Sequence, residues 1–286
     1  MSIISLTPTE LDKIKATKKA LGSGVDGTVY AMDNKTVYKF YHDTSDTVCL
    51  IGAGIYDDEG VNIKPWQELM TDNRAVRENK KPINYIDKEG VILSKKAAII
   101  KAAEKQKYVK LTKLPQAPIM VDHRLVGCAY HRYHTIWGIY ALGLYPPSVR
   151  KKAMRRLYVK LRELYANNIY PVTLAQKDKI HPFSRQGSNV LLGFGLEPQI
   201  IDLDGISAFY SDTFCKAANE AYKKSLSSFS LLALEVISGL DIMDEDIDVE
   251  YFVEELKDKG IDPTLAKEIV DEYGFKDEER IIKLLK

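Results

Sequence analysis

Three groups of residues carry the chemistry needed to hold a chain of phosphates. The first is Gly22-Ser23-Gly24-Val25-Asp26-Gly27-Thr28-Val29, a G-x-G-x-x-G-x-V arrangement. Without a Cβ, such glycines let main-chain N–H groups approach an anion closely. The next element decides between uses, because a dinucleotide fold needs a strand before the glycines and a helix after them. Here Gly27 runs into Thr28-Val29-Tyr30, β-branched and aromatic residues that favour a strand. A turn folded over phosphates fits this order better, with a plain glycine-rich turn as the alternative.

Lys39, within Val37-Tyr38-Lys39-Phe40, follows Gly27 by twelve positions on the expected return strand of a hairpin. An ammonium between apolar neighbours can reach a phosphate, although a strand lysine is as readily a solvated charge. The third group is Asn189 with Asp202, thirteen positions apart near the ends of two short apolar runs. An amide oxygen and a carboxylate are hard donors of the kind Mg²⁺ accepts beside phosphate oxygens. Singly, such residues are ordinary turn caps.

The surrounding patterns indicate what positions them. Thr7-Pro8-Thr9-Glu10 opens a short helix to about Lys18. Residues 28–41 form a hairpin around Asp33-Asn34-Lys35, and residues 117–133 a second around Asp122-His123-Arg124. Between them the expectations are a helix near Pro65 to Glu78, a strand pair from Ile83 to Leu93 turning at Lys88-Glu89-Gly90, and a helix from Ser94 to Gln106. Pro146-Pro147-Ser148 starts an amphipathic helix whose apolar side carries Val149, Ala153, Leu157, Leu161 and Leu164. Its other side is basic, which a solvated face explains more simply than a phosphate-binding strip. Asn189–Leu192 and Gln199–Leu203 suggest a small hairpin, and a buried helix spans Ser227 to Ser238 with Gly239 as its stop. Beyond Asp241 the chain is acidic and helical, with a helix start at Asp262-Pro263 and a break at Gly274.

Composition narrows the partners. The 286 residues hold 41 Lys+Arg against 40 Asp+Glu, so the broad positive field of a general nucleic-acid coat is not expected. Cys49, Cys128 and Cys215 are far apart and form no C-x-x-C pair, which argues against a disulfide framework and a zinc site and for a reducing compartment. The first residues lack a secretory signal pattern, and no apolar run nears the roughly 20 residues that span a bilayer. A cytoplasmic chain without a membrane partner is expected. His131 and His134, with His123, lack acidic or Cys partners at ligand spacing and suggest hydrogen-bonded or surface histidines. Tyr108, Tyr130 and Tyr133 are expected in the core with polar tips reaching outward.

Taken in order, these segments resemble the protein-kinase-like superfamily over residues 19–240, as a divergent Ser/Thr-kinase-like or pseudokinase member. LGSGVDGTVY is similar to its glycine-rich loop, VYKF to its third strand with a phosphate-binding lysine, and PIMVDHRLVGCAYHRY to its next hairpin and hinge. GSNVLL and IIDLDG resemble the segments that supply the metal-binding Asn and Asp, and SLSSFSLLALEVISG the buried central helix. The resemblance implies an α+β, two-lobed fold: an antiparallel-sheet lobe at 1–133 with an enlarged insertion at about 43–107, and a mainly helical lobe at 134–286. It implies ATP and Mg²⁺ as cofactors, with Gly22, Gly24 and Gly27 over the phosphates, Lys39 paired to them, and Asn189 and Asp202 on the metal. The γ-phosphoryl group would pass to a protein or small-molecule hydroxyl.

The departures bear on catalysis. The family's base Asp stands five positions before the metal-binding Asn, where this chain has Ser184. Matching Ile169–Leu174 to the start of that loop instead puts Thr173 at the Asp position, and neither hydroxyl is a carboxylate base. Asp178, within the inserted residues, and Asp204, two beyond Asp202, are the replacements available. Ser227 stands where the central helix should carry an Asp, and the acidic partner of Lys39 is Glu104, with Glu78 and Glu68 as alternatives. A catalytically impaired pseudokinase, acting as a nucleotide-binding or protein-interaction module, is the competing reading.

Overall fold

The computed structural model describes residues 3–23, 27–42, 54–56, 62–65, 85–86, 91–92, 105–122, 124–134, 137–171, 174, 189–201, 203, 207–208, 216–239, 249–272 and 274–286. It is a mixed α/β chain of two compact units. One comprises Met1–Tyr133, Ala166–Ile169 and Leu203–Ala218; the other comprises His134–Tyr165, Tyr170–Asp202 and Asn219–Lys286.

In the first unit, strand β1 (Ile4–Leu6) leads into helix α1 (Pro8–Thr17). Thr7 and Glu10 cap that helix reciprocally: the Glu10 N–H donates to Thr7 Oγ1 and the Thr7 N–H to Glu10 Oε2. Strands β2 (Ala20–Ser23), β3 (Gly27–Ala31) and β4 (Thr36–Tyr41) come after it. Two small antiparallel pairs are next, β5 (Gly54–Tyr56) with β6 (Asn62–Pro65) and β7 (Tyr85–Ile86) with β8 (Val91–Ile92), the latter within the strand pair expected from Ile83 to Leu93. Of the helices expected near Pro65 to Glu78 and from Ser94 to Gln106, residues 66–78 and 94–104 lie outside the described residues, and Pro65 ends β6. Strands β9 (Ala117–Val121) and β10 (Arg124–His131) complete a six-stranded sheet in the order β1-β9-β10-β4-β3-β2. Only the β1–β9 pair of that sheet is parallel.

Period-two alternation divides the side chains of β4 between two faces. Phe40 joins Ile119, Val121 and Val126 in a core against which Leu11 and Ile14 of α1 pack. Val37, Lys39 and Tyr41 therefore face the other way. The turn between β3 and β4 is fixed by Asp33, whose Oδ1 accepts from the Lys35 and Thr36 N–H groups. Those bonds hold the Asp33 carboxyl below its ordinary range, the Lys35 N–H contributing most.

The second unit contains β11 (Trp137–Gly138), a 3₁₀ turn (Ile139–Leu144) and α2 (Pro147–Tyr165). Strand β12 (Ile169–Tyr170) follows α2, and β13 (Val190–Leu192) pairs with β14 (Pro198–Ile200). After β15 (Ser207–Ala208), which belongs to the first unit, come α3 (Lys216–Ser238), α4 (Val249–Asp258), α5 (Pro263–Asp271) and α6 (Glu278–Leu285). Helix α3 begins eleven residues earlier than the sequence predicts, its first turns burying Ala221 as well as Leu226. Gly239 and Gly274 end their helices at φ +72° and +94°, the left-handed conformation that favours glycine.

Several cations on the basic side of α2 also bond within the chain. Arg150 donates to the carbonyls of Tyr145 and Ile237 at 2.6 and 3.2 Å, and Arg155 to Leu285 O at 2.6 Å. Ile237 and Leu285 lie in the last turns of α3 and α6, where helix carbonyls lack partners and the macrodipole favours cations. Arg156 and Lys160 pair with Glu197 at 3.3 and 2.9 Å, and buried Lys160 also donates to Pro198 O at 2.6 Å, tying the β13–β14 hairpin to the helix.

A Cβ on Gly27 would be driven into the Phe40 carbonyl, whereas one on Gly22 meets nothing within 4 Å. Gly27→Ala is therefore expected to lower stability by about 1–3 kcal/mol. Gly22→Ala should fold with a nearly unchanged melting temperature. Thermal melts of the two variants against the wild type check this asymmetry.

Candidate functional site

The two ends of the glycine arrangement lie on paired strands. Gly22 lies on β2 opposite Val29, Ser23 pairs with Thr28, and Gly27 opens β3; Gly24 lies outside the described residues. The sequence does not predict strand β2, since Ala20-Leu21-Gly22-Ser23 has little β-propensity and all four residues are exposed. Pairing with β3 makes it a strand. On the Phe40 face, a polar chain runs from Ser23 Oγ to Thr28 Oγ1 at 2.9 Å and on to His42 Nε2 at 3.0 Å.

Lys39 sits on β4 between Val29 of β3 and Cys128 of β10, and is only 8% exposed. A lysine drawn this far from water is unlike an ordinary strand lysine with its ammonium in solvent. Its Nζ lies 5.9 Å from the centroid of the Tyr41 ring, within cation–π range. Cys128 and Tyr41 form a small buried cluster with Met120 and Tyr130 packed against it, so the Lys39 stem crosses an apolar surface. Glu104, Glu78 and Glu68, the expected acidic partners, lie outside the described residues.

In the second unit, Asn189 stands immediately before β13 and is half-buried. Its main-chain N–H donates to Leu174 O at 3.1 Å, and its carbonyl accepts from the Ile201 N–H at 2.8 Å. Both main-chain groups are thereby committed within the chain. The Asn189 side-chain oxygen is a hard donor that suits Mg²⁺, as does a carboxylate at Asp202, the residue after Ile201. Asp202, Asp204 and Asp178 lie outside the described residues, as do Ser184 and Thr173.

Ser227 packs against Gly274. Its carbonyl accepts from Ser230 Oγ at 2.9 Å and lies where a Cβ on Gly274 would strike it. Ser225 and Ser228 bond backbone at Pro171 and Leu174. Ser225 Oγ donates to Pro171 O at 2.6 Å and is bonded to Tyr165 Oη at 2.8 Å, and Ser228 Oγ accepts from the Leu174 N–H at 2.9 Å. Four serines within six residues signal polar contacts on α3, but which of them faces which segment depends on helix phase.

The remaining expectations divide. Tyr133 is half-buried, and its hydroxyl accepts from the Lys113 N–H at 3.1 Å, so its polar tip is satisfied. Tyr108 is not a core residue: it is 60% exposed, with Lys107 Nζ 4.7 Å from its ring centroid. His131 packs edge-on to Tyr133. Among the described residues, no group of three or more His, Cys, Asp or Glu could hold a metal ion, and no helix is long and apolar enough to cross a membrane.

No protein-family model and no curated protein matches the chain. Among solved structures, the apo form of a pseudokinase is similar over 97% of this chain and 91% of its own length, at 11% identity and a TM-score of 0.45.

Burial pushes the Tyr133 phenol up to about 12, and the hydrogen bond from Lys113 offsets part of that rise. Because folding favours the neutral phenol, this contribution to stability is complete below the unfolded value of about 10 and is lost as pH rises toward 12. Tyr133→Phe is expected to remove one late-titrating phenol from the absorbance titration of the folded protein and to flatten the alkaline fall in stability.

Proposed function

We propose that the chain is a divergent member of the protein-kinase-like superfamily, with its two-lobed α+β fold, and that it is an ATP- and Mg²⁺-dependent phosphotransferase. The γ-phosphoryl group goes to a hydroxyl on a protein or small molecule. The observation that carries this reading is the burial of Lys39 on the strand after the glycine hairpin, against apolar neighbours on the face turned away from α1. A lysine held away from water on a rigid strand is suited to pairing with phosphate oxygens at a fixed point.

In this mechanism the N–H groups around Gly22, Gly24 and Gly27 cover the phosphates, and Lys39 neutralises part of their charge. Asn189 and Asp202 would hold Mg²⁺, which would supply further charge neutralisation. The acceptor oxygen bonds to the γ-phosphorus as the bond to the β–γ bridging oxygen breaks, and ADP leaves. The acceptor's proton passes to a carboxylate, Asp178 or Asp204. A loose transition state asks the protein mainly for positioning and charge, so transfer survives without the usual base Asp. The missing base contributes typically ~10²–10⁴-fold, which sets how slow an unassisted transfer becomes.

Transfer from γ-labelled ATP tests the reading. Lys39→Ala and Asp202→Ala are each expected to lose at least ~100-fold in transfer while remaining folded. Stabilisation by Mg-ATP with no transfer to protein or small-molecule acceptors would establish the pseudokinase alternative. An unchanged melting temperature at millimolar Mg-ATP would defeat the enzyme and leave only a protein-interaction scaffold. Asp178→Asn and Asp204→Asn compared side by side identify the base, and equal full activity in both would exclude the two candidates.

A further inference from the structure

We infer that the outward side of α2 and the adjoining Phe194 form a docking surface for an acidic protein segment with one large apolar residue. Phe194 lies in the turn between β13 and β14 and is 78% exposed, so the fold itself draws nothing from burying its ring. The turn is nevertheless firmly braced. The Gly193 N–H donates to Glu197 O at 2.9 Å, Arg156 donates to Gly195 O at 3.3 Å, and Glu197 pairs with Arg156 and Lys160 at 3.3 and 2.9 Å. Gly195 and Leu196 are both left-handed, at φ +69° and +57°, a conformation that a leucine keeps only when its surroundings hold it there. A backbone fixed this way loses little freedom when its ring is engaged, so contact with a partner is realised as affinity.

Charge identifies the partner. Helix α2 carries seven cations and one carboxylate, Glu163. Its apolar side is buried, which leaves Lys152, Arg155, Arg156 and Val159 exposed. Val159 follows Arg156 by three positions and stands beside it on the helix, while Arg156 also holds Gly195, the neighbour of Phe194. Glu197 and Glu278 pair with Arg156, Lys160 and Arg162, but Lys151 and Lys152 have no carboxylate partner among the described residues. Both lysines sit in the first two turns, toward the positive end of the helix dipole, where cations cost stability and an anion is favoured. Guanidinium groups are planar forks that take carboxylates one at a time, and the bonds to Gly195 O and Leu285 O fix where those of Arg156 and Arg155 lie. Such a surface suits Asp and Glu side chains on a defined backbone better than the diffuse charge of a bilayer, and Val159 with Phe194 offers an apolar residue of that segment its seat. The inference goes beyond the nucleotide chemistry proposed above and does not depend on it.

The test screens full-length protein against an array of short acidic peptides, each with a single Phe, Trp or Leu, and measures the strongest binders by fluorescence anisotropy. Phe194→Ala and Lys152→Glu are each expected to weaken these peptides about tenfold with unchanged melting temperatures, since both side chains are exposed. Val270→Ala, which trims an exposed valine on α5, should bind as the wild type does. Exchange of the peptide's apolar residue for Ser should weaken binding by a similar factor, and added salt should weaken it further because the ion pairs lie at the surface. Absence of any binder with a dissociation constant below about 1 mM overturns the docking surface. Binders that either Phe194→Ala or Lys152→Glu leaves unaffected, or that Val270→Ala weakens equally, overturn it as well. Tighter, Phe194-dependent uptake of phosphatidylcholine vesicles containing phosphatidylserine, or of oligothymidylate, overturns the acidic segment as the occupant in favour of a lipid or nucleic-acid surface.

Discussion

Strand β4 is gripped from both sides at one place, and the site in the first unit depends on that grip. On β3, a side chain at Gly27 would collide with the Phe40 carbonyl; on β10, one at Gly127 would collide with the Lys39 carbonyl. Two backbones therefore close on Phe40 and Lys39 only because both neighbours lack a Cβ. The alternation of β4 then does the rest. Phe40 anchors the core under α1, and Lys39 is turned to the opposite face with its stem over Tyr41 and Cys128. A one-residue slip in this register would exchange the two and bury the ammonium beneath the helix.

The second unit meets a different problem, the satisfaction of polar groups around buried helices. Two solutions recur. Long cations on α2 reach the last carbonyls of α3 and α6, and the buried Lys160 is held by a carboxylate and a carbonyl. Short hydroxyls on α3 take the opposite role and bond loop backbone at Pro171, Leu174 and Phe275. Burying these groups is tolerable because each finds a partner. Their directionality fixes where the loops lie more tightly than apolar packing alone would, and the loop ends that pass Leu174 and Asn189 gain a defined position from it.

Much of this is legible in the chain, and the reasons for the exceptions are physical. The Thr7–Glu10 capping box, the Asp33 turn and the hairpins around it are set by residues a few positions apart, so the sequence displays both partners together. Gly239 and Gly274 stand where backbone conformation leaves few other choices. Interactions that depend on tertiary phase are not legible. The sequence marks the serines of α3 as polar, yet one position on a helix separates Ser227, which backs Gly274, from Ser228, which holds Leu174. The cations of α2 likewise look solvated until the helix ends they cap are known, and β2 exists only by pairing with β3.

These distinctions bear on how a kinase-like chemistry without its usual base should be judged. Proton removal is only one part of phosphoryl transfer, and its loss slows a reaction whose main requirement is to hold charged oxygens at fixed points. Fixing depends on backbone, and in this chain the backbone at Asn189 is determined by Leu174 and Ile201, with Leu174 in turn held by a helix hydroxyl. If the chain transfers phosphate, proton removal and the rigidity of this backbone would act separately, one on the acceptor hydroxyl and the other on the placing of charge.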